Sequence, residues 1–354
     1  MRFFLIGRNQ LKHFSIFTAT LFFVFALIGA TSQPIRANSE SPLNSSSSTP
    51  ITSQTARVLD FDGDGKSDYA VVRDVIGGLV WYIKLSSGGF IATQFGLNND
   101  WLVPEDYDGD GKWDIAVWRQ GDFYNPQGYF YILRSQSGTV QVIPWGSWLD
   151  TPEKTQDFDG DNKADPTVVR FNQGGNLVWY TLLSQSGTVR VESFGLTSSD
   201  GPIRGDFDGD NKADLAVRRC SGVANYFWYK RSSDNQIRAE QFGHCGDPGD
   251  VTVSGNFDGD NKTDLAVYRW STATWYWKQS SDGSNRAVQF GIPNSDLPAP
   301  ADYDGDGKTD PTVLHETGFG NPSYFHVLGS TNGYFVYQWG TYGDHDVAFE
   351  LMTH

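Results

Sequence analysis

The chain of 354 residues is poor in cysteine and histidine. Its two cysteines, Cys220 and Cys245, allow at most one intramolecular disulfide. Its six histidines (His13, His244, His315, His326, His345 and His354) match no zinc spacing and no His-based triad motif. Cations are also scarce. Lys and Arg number 27 against 42 Asp and Glu, a formal net charge of −15, and no basic cluster is present to meet phosphates. That argues against a nucleic-acid partner. Only one long apolar run occurs, Phe14–Ala30, and no helical period follows residue 31. What is abundant is aromatic residues at 15% and glycine at 39 residues, the composition of a β-rich, turn-rich globular protein.

The apolar run follows Arg2, Arg8 and Lys12 and reads as an export signal over 1–30, with cleavage after Ala30 or Ala37, or as a retained N-terminal anchor. Residues 31–55 are rich in Ser, Pro, Asn and Thr and read as a disordered linker. The remaining segment, 56–354, carries the repeats. The expected location is therefore secreted, periplasmic or cell-surface, with membrane attachment only if the first segment is kept.

The pattern Asp-x-Asp-Gly-Asp-x-Lys-x-Asp occurs six times, beginning at Asp60, Asp106, Asp157, Asp206, Asn256 and Asp302, a period of 46 to 51 residues. Alternate carboxylates around a tight turn suit a hard cation, and calcium takes six to eight oxygen ligands in loose geometry. The expected ligands are Asp60, Asp62, Asp64 and Asp68 with the Lys66 carbonyl, and Asp106, Asp108, Asp110 and Asp114 with that of Lys112. The third and fourth loops supply Asp157, Asp159, Asp161, Lys163 and Asp165, then Asp206, Asp208, Asp210, Lys212 and Asp214. The last two supply Asn256, Asp258, Asp260, Lys262 and Asp264, then Asp302, Asp304, Asp306, Lys308 and Asp310. The Asn256 loop, one charge short, is expected to bind Ca2+ most weakly. The sixth position is Gly or Asn, which tolerate a left-handed backbone. The loops are not EF-hands. Where an EF-hand has its bidentate Glu, they have Val71, Val117, Val168, Val217, Val267 and Val313, followed by strand-like rather than helical sequence. The loops hold 23 Asp, so six Ca2+ ions would bring the net charge to about −3, and the acidity needs no basic partner.

Each unit continues alike. A strand such as YAVVR follows the loop, then an aromatic pair (Trp81-Tyr82, Phe130-Tyr131, Trp179-Tyr180, Trp228-Tyr229, Trp275-Tyr276, Phe325-His326). A serine turn comes next (Ser86, Ser135, Ser184, Ser233, Ser280, Ser330), and a further strand ends in Phe-Gly or Trp-Gly. Four short strands per unit cannot bury both faces of their own sheet, whereas sheets arranged around an axis cover one another. The expected fold is an all-β propeller of four-stranded antiparallel blades, most simply six and alternatively seven, with calcium loops between first and second strands. Asp346–Met352 reads as a further first strand that latches onto the first blade.

These marks resemble the FG-GAP/VCBS repeat family, the integrin α-subunit-like propellers. The resemblance covers nearly all of residues 57–345 and implies calcium held between the first two strands and extracellular adhesion, recognition or carbohydrate binding. The units are shorter than those of integrins, Pro298-Ala299-Pro300 stands in place of a Gly-Ala-Pro, and no adhesion domain is inserted. The fold carries over; an integrin partner does not.

The calcium loops and the turns between third and fourth strands open on one face. The loops between strands two and three, and from strand four to the next blade, open on the other. The second set varies most, with Gly121–Gln127 and Glu316–Ser323 the longest. Recognition by a rigid scaffold usually sits in variable loops. Cys220 and Cys245 fall on this second face of one blade, and a disulfide between them is expected. The Arg that ends strand two (Arg73, Arg119, Arg170, Arg219, Arg269, with His315 in the sixth unit) is expected to pair with a repeated carboxylate such as the Asp after the Phe-Gly turn (Asp100, Asp150, Asp200, Asp250, Asp296), the alternative being a ring that binds anionic sugars or carboxylates. Trp101, Trp118, Trp148 and Trp270 break the repeat and are the candidates for a ligand platform, while Trp113, inside an acidic loop, is expected to be exposed. The sequence thus favours a monomeric calcium-binding propeller that recognises a glycan or an extracellular protein. The alternatives are a carbohydrate-active enzyme, since some polysaccharide lyases are similar in carrying calcium-dependent propellers, and a purely structural surface or matrix protein.

Overall fold

A computed structural model describes residues 58–152, 154–246 and 249–353; the expected export segment and the linker lie outside them. The described residues form six four-stranded antiparallel sheets. Blade 2 shows the plan: Trp101–Leu102 on the inside, then Ile115–Arg119, Gln127–Leu133 and Val140–Ser147 outermost. Blades 3 to 5 repeat it with inner strands Asp150–Thr151, Asp200–Ile203 and Asp250–Thr252, and blade 6 begins at Leu297–Pro298. Second strands are almost wholly buried because neighbouring blades cover both faces. Third strands alternate buried and half-buried residues, and outer strands expose every other side chain.

The residue marks of the repeat are the devices that join blades. The Phe-Gly glycine makes room for the valine that stands where an EF-hand would carry Glu. A Cβ on Gly96 would lie 2.9 Å from Val117 Cγ1, and the same contact recurs at Gly146–Val168 (2.9 Å), Gly195–Val217 (3.0 Å), Gly243–Val267 (2.9 Å), Gly291–Val313 (3.2 Å) and Gly340–Val71 (3.3 Å). The last of these joins blade 6 to blade 1. Across the same junction Tyr69 stacks between Tyr303 and Tyr337, with centroids 4.9 and 4.8 Å away.

Blade 1 is closed by both ends of the described chain. His345–Asp346 pairs with Tyr69–Val75 in the register that Trp101–Leu102 takes on Ile115–Arg119. The half of that inner position nearer the acidic loop belongs to Leu59, whose carbonyl accepts the Asp68 N–H as Glu105 accepts that of Asp114. The latch is therefore present and the ring has six blades, but Asp346–Met352 is not a strand. Only His345–Asp346 pairs, and Val347–Thr353 is an α-helix. With Leu59 already in the strand position, the chain turns away. The Asp346 carboxylate caps it by accepting the Ala348 N–H at 2.9 Å. Val347 and Ala348 are buried against the first-blade core.

In blade 4 the register differs by one residue from the sequence expectation. Phe227, fully buried and opposite Arg218, holds the position of Trp81, so the aromatic pair is Phe227-Trp228 and the turn serine is Ser232.

Acidic loops and the opposite face

Each acidic loop folds around its own carboxylates. The first Asp accepts the N–H of positions four and six (Asp60 from Gly63 at 2.6 Å and Gly65 at 2.9 Å). The last is a strut between two turns: Asp68 accepts the Phe61 N–H at 2.8 Å with one oxygen and the Ser86 N–H at 2.7 Å with the other. The fifth-position carboxylate accepts the Lys N–H, as Asp64 does from Lys66 and Asp110 from Lys112, both at 2.9 Å. The Lys side chain itself crosses to the preceding loop, and a Cβ on Gly63 would lie 3.0 Å from Lys112 Cγ. One backbone bond per junction links successive loops at 2.7 Å: Trp113 N–H to Asp60 O, Ala164 to Asp106, Ala213 to Asp157, Thr263 to Asp206, Thr309 to Asn256, and Ser67 to Asp302. The loops thus form a closed hydrogen-bonded ring, a feature that spacing within one repeat does not reveal.

The carboxylates converge on a common point in five loops. Oxygens of Asp60, Asp62 and Asp68 lie within 4.8 Å of one another, as do those of Asp106, Asp108 and Asp114 and of Asp157, Asp159 and Asp165. The fourth and sixth loops gather Asp206, Asp208 and Asp210, and Asp302, Asp304 and Asp306. No such trio was found at the fifth loop, where the Asn256 amide donates to Gly307 O at 3.4 Å. A cation fits these clusters on an independent ground. Both oxygens of Asp108 and Oδ1 of Asp159, Asp208 and Asp304 are buried without a hydrogen-bond donor, and a buried acceptor left unpaired is costly. Burial first, and neighbouring carboxylates second, push Asp68, Asp214 and Asp310 up to about 7. Asp106 and Asp302 rise to about 6, also chiefly by burial. The loops crowd buried and half-buried carboxylates against one another.

The opposite face is built on a different repeated unit. Arg119 forks both oxygens of Asp100 at 2.8 Å and lies 4.6 Å over the Tyr131 ring. Arg170–Asp150–Tyr180, Arg219–Asp200–Trp228 and Arg269–Asp250–Tyr276 repeat the arrangement. In blade 6 His315 binds Asp296 at 2.7 Å and packs on His326. In blade 1 Arg73 binds Asp344. The expected Asp partners thus hold Arg119, Arg170, Arg219, Arg269 and His315, while Arg73 takes Asp344, outside the expected set. Cys220 and Cys245 form a disulfide on this face.

The four candidate tryptophans separate. Trp118 is fully buried and donates its indole N–H to Trp145 O at 2.9 Å. It is no platform, because it does for blade 2 what Trp81, Trp179 and Trp275 do from the third strand in theirs. Trp101 is half-buried and lines a small cavity among the inner strands, beside Lys154 and Leu351. Trp270, half-buried, packs against the blade 5 core. Trp148 alone of the four is strongly exposed, at 40%. Trp113, expected in solvent, is buried against Phe61 of the preceding loop.

Six four-stranded blades, each with an acidic loop between its first two strands, define an acidic-loop β-propeller. Residues 60–117 match the FG-GAP-like repeat family model. The other units carry the same loop, valine and Phe/Trp-Gly end, so the six blades together resemble a propeller of the FG-GAP/VCBS type. No curated protein sequence matches it. Among solved structures, it is similar to a mutant of the Aleuria aurantia lectin in complex with alpha-methyl-L-fucoside, at 13% identity and TM-score 0.44, over 77% of this chain and 94% of that one. It is also similar to a hypothetical selenium-binding protein from Sulfolobus tokodaii, at 13% identity and TM-score 0.42, over 78% and 77%. Likeness at that level carries no functional argument.

Proposed function

We propose that this is an exported, calcium-loaded propeller that recognises a glycan or an extracellular protein through the face opposite its acidic loops. The asymmetry of the two faces carries the reading. One is locked in a hydrogen-bonded ring with buried carboxylate oxygens lacking donors. The other presents exposed Phe123, Tyr124, Trp148, Phe319 and Tyr342 on loops. Calcium would be held by the converging Asp side chains, with the Asn256 loop weakest, and would supply the charge they lack. Export is supported by the disulfide, which persists in oxidising compartments, and by the Phe14–Ala30 run. Among the described residues no helix is long and apolar enough to cross a membrane.

The test is a glycan array and a melting curve, each with calcium and with EDTA. Calcium should raise the melting temperature, since a ligand bound only to the native state must do so, and retention on the array should require it. An unchanged melting temperature on chelation would remove the calcium role. Turnover of a bound sugar would move the protein to the carbohydrate-active enzymes.

A further inference from the structure

The longest loop between second and third strands, residues 120–126 of blade 2, is tied by its hydrogen bonds. Asp122 Oδ1 accepts the N–H groups of Tyr124 and Asn125, both at 2.7 Å. The Trp148 N–H from the neighbouring loop donates to Pro126 O at 2.8 Å, and Gln120 Nε2 donates to Trp148 O at 2.8 Å. Three rings are held at this junction. Phe123 meets Trp148 edge-on at 6.0 Å and Tyr124 at 5.5 Å, with Phe123 72% and Tyr124 87% exposed. Fixed rings turned to water on a well-bonded loop form a contact surface.

The polar surroundings select the occupant. The cation at the base, Arg119, is held by Asp100 and the Tyr131 face. A second cation, Arg170, reaches Ser147 beside Trp148 and is likewise held, by Asp150 and the Tyr180 face, and the polar side chains left on the loop are Gln120, Asp122 and Asn125, a carboxylate and two amides. Such a set offers acceptors to hydroxyl donors and no uncommitted positive charge to an anion, while the rings offer flat apolar area to a C–H face. We propose that the Phe123–Tyr124–Trp148 platform is a stacking site for a neutral saccharide. This rests on the recognition reading above and adds the ligand class and its place.

The experiment compares wild type, Trp148→Ala and the double variant Phe123→Ala/Tyr124→Ala. Each is run, calcium-loaded, over immobilised neutral polysaccharides (β-glucan, mannan, galactan) and anionic ones (alginate, a sulfated galactan). Ile237→Ala, exposed on the outer strand of blade 4 and outside the recognition face, is the control. The proposal expects retention of wild type and control on at least one neutral polysaccharide, with each platform variant weakened about tenfold or more at an unchanged melting temperature. Neutral retention that survives both platform variants would overturn the site and leave the recognition reading intact. Retention on anionic polysaccharides alone, or on none, would overturn the saccharide class; specific binding of a protein ligand would then keep recognition without it.

Discussion

Within blade 2 two side chains have exchanged jobs. The other tryptophan blades put the large indole on the third strand, where Trp81 and Trp179 reach the Phe-Gly carbonyl. Blade 2 has Phe130 there and puts the indole on the second strand as Trp118, with Gly128 leaving it space: a Cβ on Gly128 would lie 2.6 Å from the ring. Trp118→Ala should therefore cost about 3–5 kcal/mol, the usual cost of emptying a large aromatic site, while Trp148→Ala should cost well under 1 kcal/mol as a surface change. Chemical denaturation of the two variants checks this, and equal costs would contradict the exchange. The exchange is a relation between strands, which explains why Trp118 read as an out-of-phase residue in the sequence. Trp113 was misleading for the same reason, since its burial is supplied by the neighbouring loop. The Arg–Asp pairing was legible because an Arg ends the second strand in five of the six units and an Asp follows the Phe/Trp-Gly turn.

At the scale of the element, the proposed calcium role gives the acidic loop two states to compare. Without calcium, burial raises Asp68, Asp214 and Asp310 to about 7 from an ordinary value near 3.8. A carboxyl whose folded value is raised holds its proton more tightly in the native state, so stability falls as pH rises from about 4 to about 7 and is flat above. EDTA-treated protein should melt higher at pH 5 than at pH 8. With calcium the order reverses in part: protons compete for the same oxygens, so the rise in melting temperature given by calcium should shrink between pH 7 and pH 5. A calcium increment independent of pH would place the ion elsewhere. The fifth loop provides a second check. Asn256→Asp restores the missing carboxylate, so calorimetric titration should show its weakest phase tightened, and an unchanged isotherm would mean that Asn256 does not limit that site. Spacing and residue type carried the loop chemistry into the sequence. They could not carry the one-residue register of blade 4, where three successive aromatics (Phe227, Trp228 and Tyr229) fit the pattern equally well until Phe227 is seen in the core.

For the whole molecule the decisive junction is blade 6 to blade 1, and the least legible stretch of sequence belongs to it. Asp346–Met352 has strand-like composition, but the inner edge of blade 1 is shared by Leu59 and His345–Asp346, so the chain beyond must find another partner. It forms a helix packed against the inner strands, where Lys154 Nζ donates to Leu351 O at 2.9 Å. Closure then hangs on a few contacts spanning almost the full repeat region, of which Arg73–Asp344 is the most polar. That pair is chemically the same as Arg170–Asp150, and both Asp side chains are buried. They differ in what they join: residues 271 apart in one case and 20 apart in the other. Each change leaves a buried carboxylate short of its cation, while the arginine removed is itself partly exposed, so both Arg73→Ala and Arg170→Ala should carry a local cost of about 1–3 kcal/mol. Arg73→Ala should also let the C-terminal strand and helix detach, because the two-residue strand His345–Asp346 has little pairing of its own. Hydrogen exchange at Val72, whose N–H faces His345, should accelerate in Arg73→Ala and stay slow in Arg170→Ala, with the larger fall in melting temperature in the former, while Val71, whose N–H faces the third strand, serves as the reference. Equal melting temperatures and equal protection would mean that the stacked Tyr69, Tyr303 and Tyr337 and the Ser67–Asp302 backbone bond close the ring without the latch.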